Sequence, residues 1–219
     1  MPHIASVSTG RAVGAAWAGR LKRTAIDKRP VAGPVAVRTH GLDGDEQADR
    51  ANHGGADKAV YAYAREDLDL WQERLGRPLA DGVFGENLTT RGIDLTAALI
   101  GERWRVGPVL LEAALPRTPC GVFRSWMEEV GWVKRFTQEG RTGVYLRVLA
   151  EGEISAGEEI AVEHRPAHGI AVAAAFRARY ERDGELLRRV LDIPGRSAVW
   201  EEAAADVGVH VAGGERAPG

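Results

Sequence analysis

Two stretches hold the residues whose types and spacing allow chemistry. In Pro116-Arg117-Thr118-Pro119-Cys120-Gly121 the single cysteine of the chain follows two prolines. A strand is expected to end here, the prolines to stiffen the turn, and a helix to begin at or just after Cys120. A thiol at a helix N-terminus with an arginine three residues away is in a setting that stabilises the thiolate, the form that attacks carbon or binds a soft metal. A buried, inert cysteine is the alternative that the residue type equally allows. The second stretch, residues 41–63, GLDGDEQADRANHGGADKAVYAY, packs five acids, a histidine, a lysine and four glycines ahead of a strand. A solvated loop has this composition too. His53-Gly54-Gly55 points to a site, because two glycines let the backbone approach a ligand closely while the imidazole accepts, donates or shuttles a proton near neutral pH.

Other arrangements fail on spacing. Asp43-Gly44-Asp45-Glu46-Gln47 begins like a calcium loop, but the sixth position is Ala48 and the twelfth Gly54, where glycine and glutamate are needed. His164 and His168 are four apart with Pro166 between them, which breaks the helix that would align them, so zinc is weakly supported. Neither G-x-x-x-x-G-K-[ST] nor G-x-G-x-x-G after a strand occurs, so the phosphate cradles of P-loop hydrolysis and of dinucleotide-dependent hydride transfer are missing.

The elements that must position these residues are mainly β over residues 1–165. Strands are expected over His3 to Ser8, Thr24 to Asp27, Val35 to Thr39, Ala59 to Tyr63, Asn87 to Thr89, Glu102 to Val106, Val109 to Leu115, Gly143 to Ala150 and Ile160 to His164. Helices are expected over Glu66 to Leu75, stopped by Gly76, and roughly over Val122 to Gln138. After Pro166 the spacing changes to three short helical segments, the third capped near Ser197, so residues 166–210 read as a three-helix module and 211–219 as a frayed tail.

At 219 residues, with 44% apolar and 27% charged residues, the chain has the composition of a globular protein with a sizeable core. Its net charge of −2 lacks the positive field of a nucleic-acid binder. The longest wholly apolar run, Ile170 to Phe176, is far below the roughly 20 residues of a bilayer span, and no signal peptide is visible. One cysteine permits no intrachain disulfide and no four-thiolate cluster, which reads as a reducing, cytoplasmic setting.

Taken together, Val7-Ser8-Thr9-Gly10-Arg11, Thr24-Ala25-Ile26-Asp27-Lys28, GLDGDEQAD at 41–49, HGGADKAVYAY at 53–63, FGENLTT at 84–90, PRTPC at 116–120 and AGEEI at 156–160 resemble the MOSC domain family, in its bacterial YiiM-like branch. The resemblance spans nearly the whole chain and includes a small three-helix domain after the MOSC part. It implies a MOSC-type β-barrel with inserted helices that binds the molybdenum cofactor, with Cys120 as protein ligand to molybdenum. A thiolate suits a metal already held by dithiolene sulfurs, so one cysteine is enough. The positions matching the family's pocket are Thr9, Gly10, Lys28, His53, Asn87 and Arg117. Lys28 and Arg117 are expected to pair with phosphate or pterin oxygens, and the N–H groups around Gly10 to form an anion-binding turn.

The resemblance further implies reduction of N-hydroxylated compounds, hydroxylaminopurines or amidoximes, with His53 as candidate proton donor. The chain's own residues offer no site for a nicotinamide or an iron–sulfur cluster, so electrons are expected from a separate flavoprotein or ferredoxin-type partner. The three-helix module is a candidate docking surface for it, and a homodimer is left open. Two other readings stand beside this one: a non-catalytic cofactor carrier or sulfur-handling module, and a hydrolase-like pair of Cys120 and His53 that no nucleophile elbow supports.

Overall fold

Residues 1–48 and 54–210 are described by the computed structural model, so His53 and the expected tail lie outside the described residues. Glycine turns cut the chain into short strands. The first six are β1 (His3–Thr9), β2 (Val13–Gly14), β3 (Arg23–Thr24), β4 (Arg29–Pro30), β5 (Val35–Arg38) and β6 (Gly41–Leu42). Then follow β7 (Val60–Ala64), β8 (Leu88–Arg91), β9 (Arg103–Val106), β10 (Val109–Pro116), β11 (Val144–Ala150), β12 (Gly152–Ile154) and β13 (Ala161–His164). Eight of them form one sheet in the order β13-β9-β10-β11-β7-β8-β1-β4. Its pairs are antiparallel except β7 with β8, where α1 (Arg65–Leu75) lies in the crossover connection that a parallel pair requires. Smaller sheets are β12-β5-β6 and β2-β3.

A closed barrel was the expectation, and no continuous ladder closes one among the described residues. Backbone bonds and one isolated antiparallel bridge, His3 with Glu159, instead join the start of β1, second from one edge, to the segment before β13. The Ile4 N–H donates to the Glu158 carbonyl at 2.9 Å, that of Gly157 to Ile4 at 2.7 Å and that of Ile160 to Pro2 at 2.9 Å. These residues lead directly into β13, the far edge. Gly157, at φ +90°, turns the chain where a regular ladder would have to continue.

α1 forms as expected, burying Leu68 and Trp71 and ending on Gly76 in left-handed conformation. The single helix expected over 122–138 is two: α2 (Gly121–Met127) and α3 (Trp132–Glu139), separated by Glu128 at φ 55° and Gly131 at φ 67°. The break lets Phe123 and Met127 of one helix and Trp132 and Phe136 of the other enter the same aromatic cluster, beside Tyr61, Tyr63, Trp71 and Phe84. The strand expected over Thr24 to Asp27 pairs only through Thr24. Beyond it Gly10 crosses so closely that a Cβ there would lie 2.6 Å from the Asp27 carbonyl oxygen.

Three helices follow Pro166: α4 (Val172–Glu181), α5 (Gly184–Leu191) and α6 (Val199–Ala205). Asp183 caps α5 by accepting from the Leu186 N–H at 3.0 Å, and Ser197 accepts from Val199 at 3.3 Å at the start of α6. Val172, Leu187, Val190 and Trp200 join one core with Val106, Ala113 and Leu115 of the sheet. The Trp200 Nε1–H donates to the Ala114 carbonyl at 3.1 Å across that junction.

Candidate functional site

Cys120, Arg117, Lys28 and Asn87, far apart in sequence, line one cavity of about 620 Å³. Asn87 precedes β8, Lys28 precedes β4, and Arg117 and Cys120 occupy the turn from β10 into α2, so the folded sheet is what gathers them. The helix does begin directly after Cys120, whose backbone is extended and whose thiol is half-buried.

Asp45 joins these positions. Its Oδ1 accepts from the Gly10 N–H at 2.8 Å and from the Lys28 ammonium, and its Oδ2 from Asn87 Nδ2 at 3.0 Å. Asn87 is fixed from its other end as well, its Oδ1 accepting from the Tyr61 N–H at 3.1 Å. Sequence reasoning missed Asp45, although the acidic run at 43–47 held it. The turn at Gly10 does bind an anion, but the anion is this carboxylate, and the Ala12 N–H beyond it donates to Glu46 at 2.9 Å. Lys28 has its countercharge inside the protein; its pKa is lowered by burial, with Asp45 acting in the opposite direction. Neither Thr9 nor Gly10 lines the cavity; Gly10 reaches it through Asp45.

Arg117 is 6% exposed, its guanidinium 4.0 Å from the Phe123 ring centroid and 5.1 Å from that of Tyr61, donating to the Phe84 carbonyl. The aromatic cluster thus holds a cation on the cavity wall by ring faces and one carbonyl. Tyr61 and Tyr145 complete this wall, their rings 4.9 Å apart, and burial raises the pKa of both, so both hydroxyls keep their protons. The Tyr61 hydroxyl is spent on the Thr142 carbonyl at 2.8 Å. Behind the wall, the Glu86 carboxylate accepts from the N–H groups of Gly82 (2.6 Å) and Phe84 (2.9 Å) and from the Thr89 hydroxyl (3.1 Å). Burial outweighs these bonds and pushes its pKa up to about 7.

Six basic and two acidic residues line the cavity among the described residues, which suits an anionic occupant. Its volume falls within the range of small-molecule sites, about 300–1,000 Å³. No group of three or more His, Cys, Asp or Glu is placed to hold a metal among the described residues. A metal here would need a chelate of its own beside one thiolate. His168 is structural: its Nδ1 accepts from the Ile170 N–H at 3.0 Å and its Nε2 donates to the Ile100 carbonyl at 2.9 Å.

Comparison with known proteins places these features. The profile of the MOSC domain family matches residues 49–161. Protein YiiM of Escherichia coli (strain K12) is 30% identical over 183 residues, 82% of each chain. A protein of Gibberella moniliformis (strain M3125 / FGSC 7600) named reductase is 36% identical over 161 residues, 68% of this chain and 28% of that one. The crystal structure of YiiM from Geobacillus stearothermophilus aligns with TM-score 0.80 and 30% identity over 94% of this chain and 99% of that one.

Proposed function

The chain belongs to the MOSC domain family, in its YiiM-like branch, and from this we propose that it is a molybdenum cofactor-dependent oxidoreductase that reduces N-hydroxylated compounds to amines or amidines. The observation that carries the reading is the half-buried Cys120 thiol on the wall of a cationic cavity large enough for a pterin. A relative named reductase supports the reaction class. The donor chemistry fits: one soft sulfur, a buried guanidinium, an amide fixed at both ends, and no competing cluster of hard ligands among the described residues.

Cys120 would hold the metal, and Arg117, with Asn87 and Lys28 on the same wall, would hold the pterin and its phosphate. Asp45 keeps Lys28 and Asn87 in place and offsets one of the two charges, leaving Arg117 as a buried cation without an acid partner among the described residues. When bound, the cofactor supplies a two-electron couple and Lewis acidity. The net change is R–NH–OH plus two electrons and two protons to R–NH2 and water. His53 is assigned the role of proton donor. Electrons come from a separate flavoprotein or ferredoxin-type partner, as one cysteine holds no four-thiolate cluster.

Metal and pterin analysis of protein made in a cofactor-competent host, beside Cys120→Ala, tests this. Near-stoichiometric molybdenum and reduction of benzamidoxime are expected in the parent, with reduction lost in the variant. Turnover by the alanine protein at the parent rate would refute the role of the thiol. Cofactor retention with no turnover of any N-hydroxylated compound would make the protein a carrier.

A further inference from the structure

Of the chain's large apolar side chains, few are exposed, and one of those few lines this cavity. Trp17, 43% exposed, belongs to the excursion between β2 and β3, which also brings Arg20 to the cavity. It is held in place: its ring stacks on Trp126 of α2, centroids 6.0 Å apart at 28°, and Trp126 is anchored by its Nε1–H to the Val83 carbonyl at 2.7 Å. The excursion is tied at its base by the Val13–Thr24 and Gly14–Arg23 pairs. With one face on Trp126 and over two fifths of its surface open, the indole leaves a flat apolar face available at the cavity.

Arg20, Arg23, Arg117 and Arg124 all line the cavity and make no ion pair among the described residues, a state they share with Arg177, Arg182, Arg188 and Arg189 of the C-terminal helices. Arg117 is buried, and Arg23 donates to the Ala12 carbonyl at 3.3 Å. Arg20 and Arg124 are exposed, one on the Trp17 excursion and one on α2.

We propose that Trp17, Arg20 and Arg124 form a substrate clamp selecting flat, π-conjugated N-hydroxylated compounds that carry a negative charge over aliphatic or uncharged ones. It rests on the reductase reading above and adds the substrate class. The indole supplies a stacking face, and the two guanidinium groups supply charge-assisted hydrogen bonds to a carboxylate or phosphate on the substrate. The clamp is built from two elements, so its geometry depends on the Trp17–Trp126 stack.

Three amidoximes separate the contributions in the loaded enzyme: acetamidoxime, benzamidoxime and 4-carboxybenzamidoxime. The parent is expected to prefer them in rising order of kcat/KM. Trp17→Ala should cut the preference for benzamidoxime over acetamidoxime about tenfold, through KM rather than kcat. Arg20→Ala with Arg124→Ala should cut the preference for the carboxylated compound at least fivefold, and added salt should erode that preference in the parent. Molybdenum content should match the parent in both; loss of metal from the arginine variant would assign those residues to the cofactor and overturn this part. Calorimetric binding of 4-carboxybenzamide, which has no N–O bond to reduce, judges the clamp apart from turnover. Weaker binding by both variants supports it even if no amidoxime is reduced, whereas equal binding by parent and variants overturns it.

Discussion

Asp45 and Lys28 form the buried ion pair of the cavity wall, and Asp45 also holds Gly10 and Asn87. The two paired side chains are 5% and 9% exposed, so removing one charge leaves the other buried without compensation. Asp45→Asn is expected to lower stability by about 3 kcal/mol in urea unfolding, and adding Lys28→Met should recover much of it. If the single variant unfolds at the parent midpoint, the pair is not an organising contact. Glu86 carries the opposite sign of pH dependence from an ordinary paired carboxylate. Its folded pKa of about 7 lies above the usual 4.5, so the folded state holds the proton more tightly. Its contribution is therefore full below about pH 4.5 and lost as pH rises through about 7, on the order of 3 kcal/mol across that window. Urea midpoints at pH 5 and 7.5 should differ less in Glu86→Gln than in the parent; identical pH dependence would show that Glu86 ionises normally.

At the scale of elements, two glycines with the same backbone sign make different demands. Gly143, at φ +62°, opens β11 where a Cβ would meet the Ala62 carbonyl oxygen at 2.4 Å and the rings of Tyr63 and Tyr61 at 2.7 and 2.9 Å. Gly131, at φ +67°, faces open space between α2 and α3. Gly131→Ala should cost about 1 kcal/mol for the left-handed backbone alone, and Gly143→Ala at least about 3 kcal/mol, because strand and ring must also move. Thermal melts of the two variants check the order, and an equal loss would contradict it. The α2–α3 break shows what periodicity misses: the apolar spacing from Val122 to Gln138 continues a helical repeat, while Gly131 and the aromatic cluster decide that the chain turns. Strands of two or three residues, such as β2, β4 and β6, are too short to show alternation, so they were not expected.

For the whole molecule, the C-terminal helices and the sheet bury side chains in one core, with Trp200 donating into β10. Trp200→Ala should therefore cost about 3–5 kcal/mol and destabilise sheet and helices together. Far-ultraviolet circular dichroism and tryptophan fluorescence are expected to report a single coincident transition in both parent and variant. Two separate transitions would make the helices an independent unit. No helix among the described residues is long and apolar enough to cross a membrane.

Local chemistry was legible before any folding: a thiol after two prolines, a helix starting beside it, strands between glycine turns, three helices after Pro166. These depend on φ restriction and periodicity over a few residues, which neighbours in sequence determine. Convergence was decided elsewhere. That Asp45 answers both Lys28 and Asn87, that Arg117 lies on the Tyr61 ring, and that Trp17 and Arg124 line one cavity follow from contacts between segments up to about a hundred residues apart. Such contacts form only when a sheet brings distant strands to hydrogen-bonding distance, and no spacing along the chain encodes them.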